Sequence, residues 1–98
     1  MFRVIYRWEV APENFEAFKK TWRTTTNRIH ASVPGALGSF MLKGHKNETE
    51  VLTIAKWESY DAWQQFWGNA NPEQMDDMRK LAKRISVEAY SEVEDHTH

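Results

Sequence analysis

Four histidines, five tryptophans and no cysteine bound the chemistry open to this chain. Histidine is the side chain whose ordinary pKa lies near neutrality, so His30, near the end of a helical segment, is a candidate proton acceptor. Its place one residue after the apolar Ile29 equally suits an outward-pointing side chain. His45 falls in a polar loop, and His96 and His98 belong to a tail over 96–98 that is expected to be flexible. The lack of cysteine excludes disulfides, thiolate nucleophiles and cysteine-based metal or iron-sulfur sites. No histidine stands at helical or hairpin spacing from another histidine or a carboxylate, so no metal site is expected. Asp76 and Asp77 are adjacent on a helix and cannot share a face.

The densest group of chemically useful side chains is Trp57-Glu58-Ser59-Tyr60-Asp61-Ala62-Trp63-Gln64-Gln65-Phe66-Trp67, which holds three of the five tryptophans. At about 100° per helical residue, Tyr60, Trp63 and Trp67 fall in one arc, and Phe66 widens it. Such a face can wall a pocket for a flat apolar ligand, with indole N–H groups as donors, or it can serve as plain core.

The elements that position these residues follow from periodicity. Phe2, Val4, Tyr6, Trp8 and Val10 alternate with Arg3, Ile5, Arg7 and Glu9, which predicts a strand with two distinct faces. Pro12 suits a first helical turn, and Phe15, Phe18, Trp22, Thr26 and Ile29 recur at steps of three and four. Pro34-Gly35 fits the centre of a type II turn into a strand over Ala36–Leu42. The polar stretch Gly44–Glu50 then joins that strand to Val51–Trp57 as a hairpin. Ser59 is the expected cap of the aromatic helix and Gly68 its stop. Asn71-Pro72-Glu73 signals one more helix start, with Met75, Met78, Leu81, Ala82 and Ile85 as its apolar positions, before a last strand over Ser86–Val93.

This order, β-α-β-β-α-(α)-β, predicts a ferredoxin-like α+β fold with a four-stranded antiparallel sheet, one domain over residues 1–95. Both crossovers being right-handed, all helices cover one sheet face. The other face carries Arg3, Ile5, Arg7 and Glu9 from the first strand, with Ser86, Glu88, Tyr90 and Glu92 from the last. It is part apolar and part charged, so a second copy is expected to cover it as a homodimer. A formal net charge of -1 with interleaved signs makes nucleic acid an unsuitable partner. With neither a leader-like nor a spanning segment, no membrane partner is expected and a cytoplasmic location is.

Three stretches carry a resemblance. They are Val4–Val10 with Pro12 and the Phe15, Phe18, Trp22 helix; the Pro34–Ser39 turn; and the Ala55–Trp63 strand-to-helix passage. Together they resemble the antibiotic biosynthesis monooxygenase family, whose small ferredoxin-like chains pair into a dimeric α+β barrel. The resemblance implies an apolar cavity inside each subunit, in which Tyr6, Trp8, Trp22, Thr26, Trp63, Phe66 and Trp67 bind a small aromatic substrate of the phenol, quinol or anthrone kind. It also implies a monooxygenase using molecular oxygen and no cofactor, the substrate itself supplying the electrons. His30 and Tyr6 are then the candidate catalytic groups. A non-catalytic ligand-binding or haem-binding protein is the alternative. The haem-degrading relatives place an asparagine on the first strand and a histidine after the aromatic helix. Here Tyr6 occupies the first position and residues 71–83 hold no histidine, which disfavours haem while leaving tyrosine or methionine ligation, at Met75 or Met78, chemically open.

Overall fold

The computed structural model describes residues 1–68 and 72–97. In chain order its strands and helices are β1 (Phe2–Glu9), α1 (Phe15–Ser32), β2 (Ala36–Lys43), β3 (Glu50–Trp57), α2 (Tyr60–Trp67), α3 (Asp76–Leu81) and β4 (Lys83–Ser91). Single 3₁₀ turns at Pro12–Asn14 and Glu73–Met75 lead into α1 and α3. The sheet runs β2-β3-β1-β4 with each neighbouring pair antiparallel, which is the ferredoxin-like arrangement. Among the described residues no helix is long and apolar enough to cross a membrane.

Local chemistry accounts for the joints. Val33 to Ala36 form the type II turn: the Ala36 N–H donates to the Val33 carbonyl at 3.2 Å and Gly35 has φ 87°. The same glycine lets the turn lie against α2, since a Cβ there would stand 2.5 Å from the Cβ of Ala62. Ser59 caps α2 by accepting from the Ala62 N–H at 3.1 Å, and Gly68, at φ 51°, ends it. The expected cap at Asn71 lies outside the described residues.

Alternation along β1 puts Phe2, Val4, Tyr6 and Trp8 into the core beneath the helices, all at most 6% exposed. Its other face, with directly paired residues on the same side, carries Ile5 opposite Ile54 and Arg7 opposite Leu52. Phe40 and Leu42 extend this apolar band onto β2 and remain almost half exposed. Charge borders it: Arg7 pairs with Glu88, and Arg3 with Glu92 at 2.8 Å.

Two expectations change. β4 starts at Lys83 rather than Ser86, so Ile85 belongs to a strand and not to the third helix. The cause is a bulge: Arg7 faces Ser86 but Trp8 faces Arg84, leaving Ile85 as the extra residue, 54% exposed. An apolar residue four after Leu81 continued the helical period by coincidence. Tyr60, placed with Trp63 and Trp67 on one buried arc, is 52% exposed, its ring meeting Phe2 edge-on at 5.5 Å.

Candidate functional site

A partly open cavity of about 40 Å³ lies between α1 and the helix-covered side of the sheet, room for about three water molecules at roughly 10 to 15 Å³ each. From α1 come Trp22, Thr25, Thr26, Ile29 and His30; from the sheet come Ser39, Thr53 and Trp57; Tyr6, Phe66, Met75 and Met78 complete the wall. Two hydroxyl oxygens in this lining are already engaged. Ser39 Oγ accepts from Trp22 Nε1 at 3.3 Å, and Thr53 Oγ1 accepts from Trp8 Nε1 at 3.1 Å.

The donors are less completely matched. Trp57 is only 2% exposed, its ring meets Phe66 at 5.3 Å, and its Nε1 is buried with no hydrogen-bond partner among the described residues. A buried N–H normally finds an acceptor, so this one calls for a water or a ligand oxygen. Elsewhere in the lining, Tyr6 accepts from Trp63 Nε1 at 3.2 Å, which leaves its own O–H proton to donate. Burial pushes the Tyr6 phenol up to about 12, only partly offset by the Trp63 hydrogen bond and the Arg84 charge. Tyr6 is therefore neutral near pH 7, with its O–H available as a donor.

Of the residues expected at the site, Tyr6, Trp22, Thr26, Phe66 and His30 do converge on the cavity. His30 is exposed and stands at the rim near Gly38, where a Cβ on that glycine would lie 4.0 Å from His30 Nδ1, an ordinary contact distance. Trp8, Trp63 and Trp67 do not line this cavity. Trp8 is 1% exposed and packs on Phe18 at 5.1 Å as core. Trp63 and Trp67 stack on each other at 5.6 Å behind Tyr6, whose ring Trp67 also meets at 5.6 Å. They brace the wall from the rear. From sequence, Trp57 is expected only as a strand end, although the alternation Val51, Thr53, Ala55, Trp57 signals that it faces the helices.

Tyr6, His30, Met75 and Met78 are the lining groups able to ligate haem iron, but the enclosed space does not fit a porphyrin with the walls as they stand. No cluster of three His, Asp or Glu side chains that could hold a metal ion occurs among the described residues.

The fold and cavity define a ferredoxin-like α+β protein with a small apolar pocket between helices and sheet. A family model for antibiotic biosynthesis monooxygenases matches residues 1–83, and the chain belongs to that family. Similar solved structures include SnoaB from Streptomyces nogalater, described as a cofactor-independent oxygenase, at 18% identity and TM-score 0.75, covering 99% of this chain and 97% of that one. An antibiotic biosynthesis monooxygenase candidate from Deinococcus radiodurans gives TM-score 0.76 at 12% identity, covering 100% and 98% of the two chains. A third, from Caulobacter crescentus, gives 0.76 at 19% identity with 95% and 90% covered. At such identities the likeness carries the fold. No curated protein sequence matches the chain.

Proposed function

We propose that the protein is a cofactor-independent monooxygenase for a flat aromatic compound bearing a ketone or phenolic oxygen. The observation that carries this reading is the buried, partnerless N–H of Trp57, a residue of the cavity lining, with the Tyr6 hydroxyl as a second donor. Donors fixed in a dry site stabilise an oxyanion more than a neutral carbonyl, so they lower the acidity barrier of the adjacent C–H or O–H. His30 at the rim, or a water it holds, takes the proton. The enolate then gives one electron to oxygen, the radical and superoxide combine at carbon, and the hydroperoxide loses water to leave a new carbonyl. One oxygen atom stays in the product and the other leaves as water. Membership of the family and the oxygenase description of SnoaB support the reaction class.

The same proposal includes a homodimer. Ile5, Leu52, Ile54, Phe40 and Leu42 form an apolar band on the uncovered sheet face, and a two-fold related copy would bury it while bringing the Arg7 and Glu88 charges of each chain across the axis.

A binding module without turnover is the second reading, and the small cavity favours it: a bicyclic ligand enters only if Phe66 or the adaptable Met75 and Met78 move aside. Oxygen consumption with a panel of anthrones and quinols separates the two. The oxygenase reading expects substrate-dependent uptake in the wild type and its loss in Trp57→Phe; uptake no greater than buffer for every compound sinks it.

A further inference from the structure

Behind the cavity the aromatic side chains form a continuous path to solvent. Tyr6 lines the cavity and is 4% exposed, and its oxygen already accepts the Trp63 N–H at 3.2 Å. Trp63, 6% exposed, meets the ring of Tyr60 at 6.1 Å, and Tyr60 is 52% exposed. We infer that Tyr6, Trp63 and Tyr60 form a radical relay that drains one-electron oxidising equivalents from the cavity to the protein surface.

The relay rests on the oxygenase reading for its oxidant. A substrate radical that escapes superoxide adds a second oxygen molecule and becomes a peroxyl radical. That peroxyl takes the hydrogen atom of Tyr6 O–H, becoming a hydroperoxide and leaving a phenoxyl. The phenoxyl oxygen is the acceptor of the Trp63 N–H, so transfer of that hydrogen atom along the existing bond restores Tyr6 and leaves an indolyl radical. Trp63 is restored by an electron from Tyr60 and a proton from water, while Tyr60 releases its own proton to water. A thiol in solution returns a hydrogen atom to Tyr60 and ends as a thiyl radical.

Trp67 stacks on Trp63 at 5.6 Å and 21° and holds its ring in place against Tyr6. The raised pKa of Tyr6 keeps its hydrogen atom available below strongly alkaline pH.

The path can be tested from its outer end without any substrate. Tyr90 is removed first as Tyr90→Phe, since the chain holds three tyrosines and Tyr90 is the other exposed one. Photo-oxidised tris(bipyridyl)ruthenium, too bulky to touch Trp63, then oxidises the protein, and mass spectrometry locates oxygen addition. The relay predicts addition at buried Trp63 that is lost in Tyr60→Phe, while addition at the half-buried, unconnected Trp22 is unchanged. Equal marking of Trp63 with and without Tyr60, or no marking of Trp63 at all, overturns it. A positive result alongside absent oxygen uptake removes the oxygenase reading and leaves the relay as a conductor; a negative result removes the relay whatever the uptake shows.

Discussion

Trp57 and Trp8 are buried to nearly the same degree, 2% and 1% exposed, yet replacing each by phenylalanine should have unequal consequences. The two substitutions delete the same ring volume and area, a cost of about 2 kcal/mol in either case. Trp8→Phe in addition breaks the 3.1 Å bond to Thr53 Oγ1 and leaves that hydroxyl without its donor, a further cost of about 1 kcal/mol. Trp57→Phe instead removes an N–H that is buried without an acceptor, returning about 2 kcal/mol of desolvation cost. The expected destabilisations are therefore about 3 kcal/mol for Trp8→Phe and near zero for Trp57→Phe. For a domain of this size that gap corresponds to roughly 12 to 24 °C in melting temperature. Urea titration and thermal melts of both variants measure it. Equal destabilisation of the two would show that the Trp57 N–H is satisfied in the unliganded protein, and the basis for calling it a ligand donor would fall.

Gly35→Ala should lose about 2 to 4 kcal/mol, from a positive φ and a 2.5 Å approach to Ala62, whereas Gly68→Ala, with nothing within 4 Å but φ 51° and ψ -105°, should lose about 1 to 3 kcal/mol from backbone strain alone; chemical denaturation compares them. Ser59→Ala removes the cap of α2 and should cost about 1 kcal/mol by the same method. The phenol of Tyr6 is raised from 10.0 to about 12, so between those pH values the unfolded chain holds fewer protons than the folded one and stability falls as pH rises. That contribution is intact below pH 10, amounts to about 3 kcal/mol, and should vanish from the stability profile of Tyr6→Phe. For the sheet face, sedimentation should give twice 11.6 kDa for the wild type and the single-chain mass for a folded Ile54→Lys variant; a wild type that sediments as a single chain refutes the dimer.

The parts of the fold that were legible in the sequence are those fixed by short-range chemistry. Phe2, Val4, Tyr6 and Trp8 announce a two-faced strand, Pro34-Gly35 its turn, and Ser59 the start of α2, because each depends on neighbours within a few residues. The start of β4 was not legible. Ile85 continues the helical spacing of Met78 and Leu81, and only pairing with β1 decides that it is the extra residue of a bulge. The site divides the same way. Tyr6, Trp22, Thr26 and Phe66 could be read as cavity lining from their faces, while Trp63 and Trp67 end behind the wall because the rotation of α2 lets Trp63 reach the Tyr6 hydroxyl. Whether an indole N–H has an acceptor depends on residues far apart in sequence, so Trp57 gave no such sign until its surroundings were seen.

The central claim is that the Trp57 N–H donates to an oxygen of the bound ligand. With five tryptophans the chain gives five indole N–H resonances in isotope-labelled protein, and substitution assigns the one from Trp57. Tetralone and tetralin differ by one carbonyl and little else in shape. Titration with tetralone should move the Trp57 resonance downfield in the direction of hydrogen bonding, and tetralin should leave it in place. Identical responses to both compounds, or no response of Trp57 to either, would contradict the account.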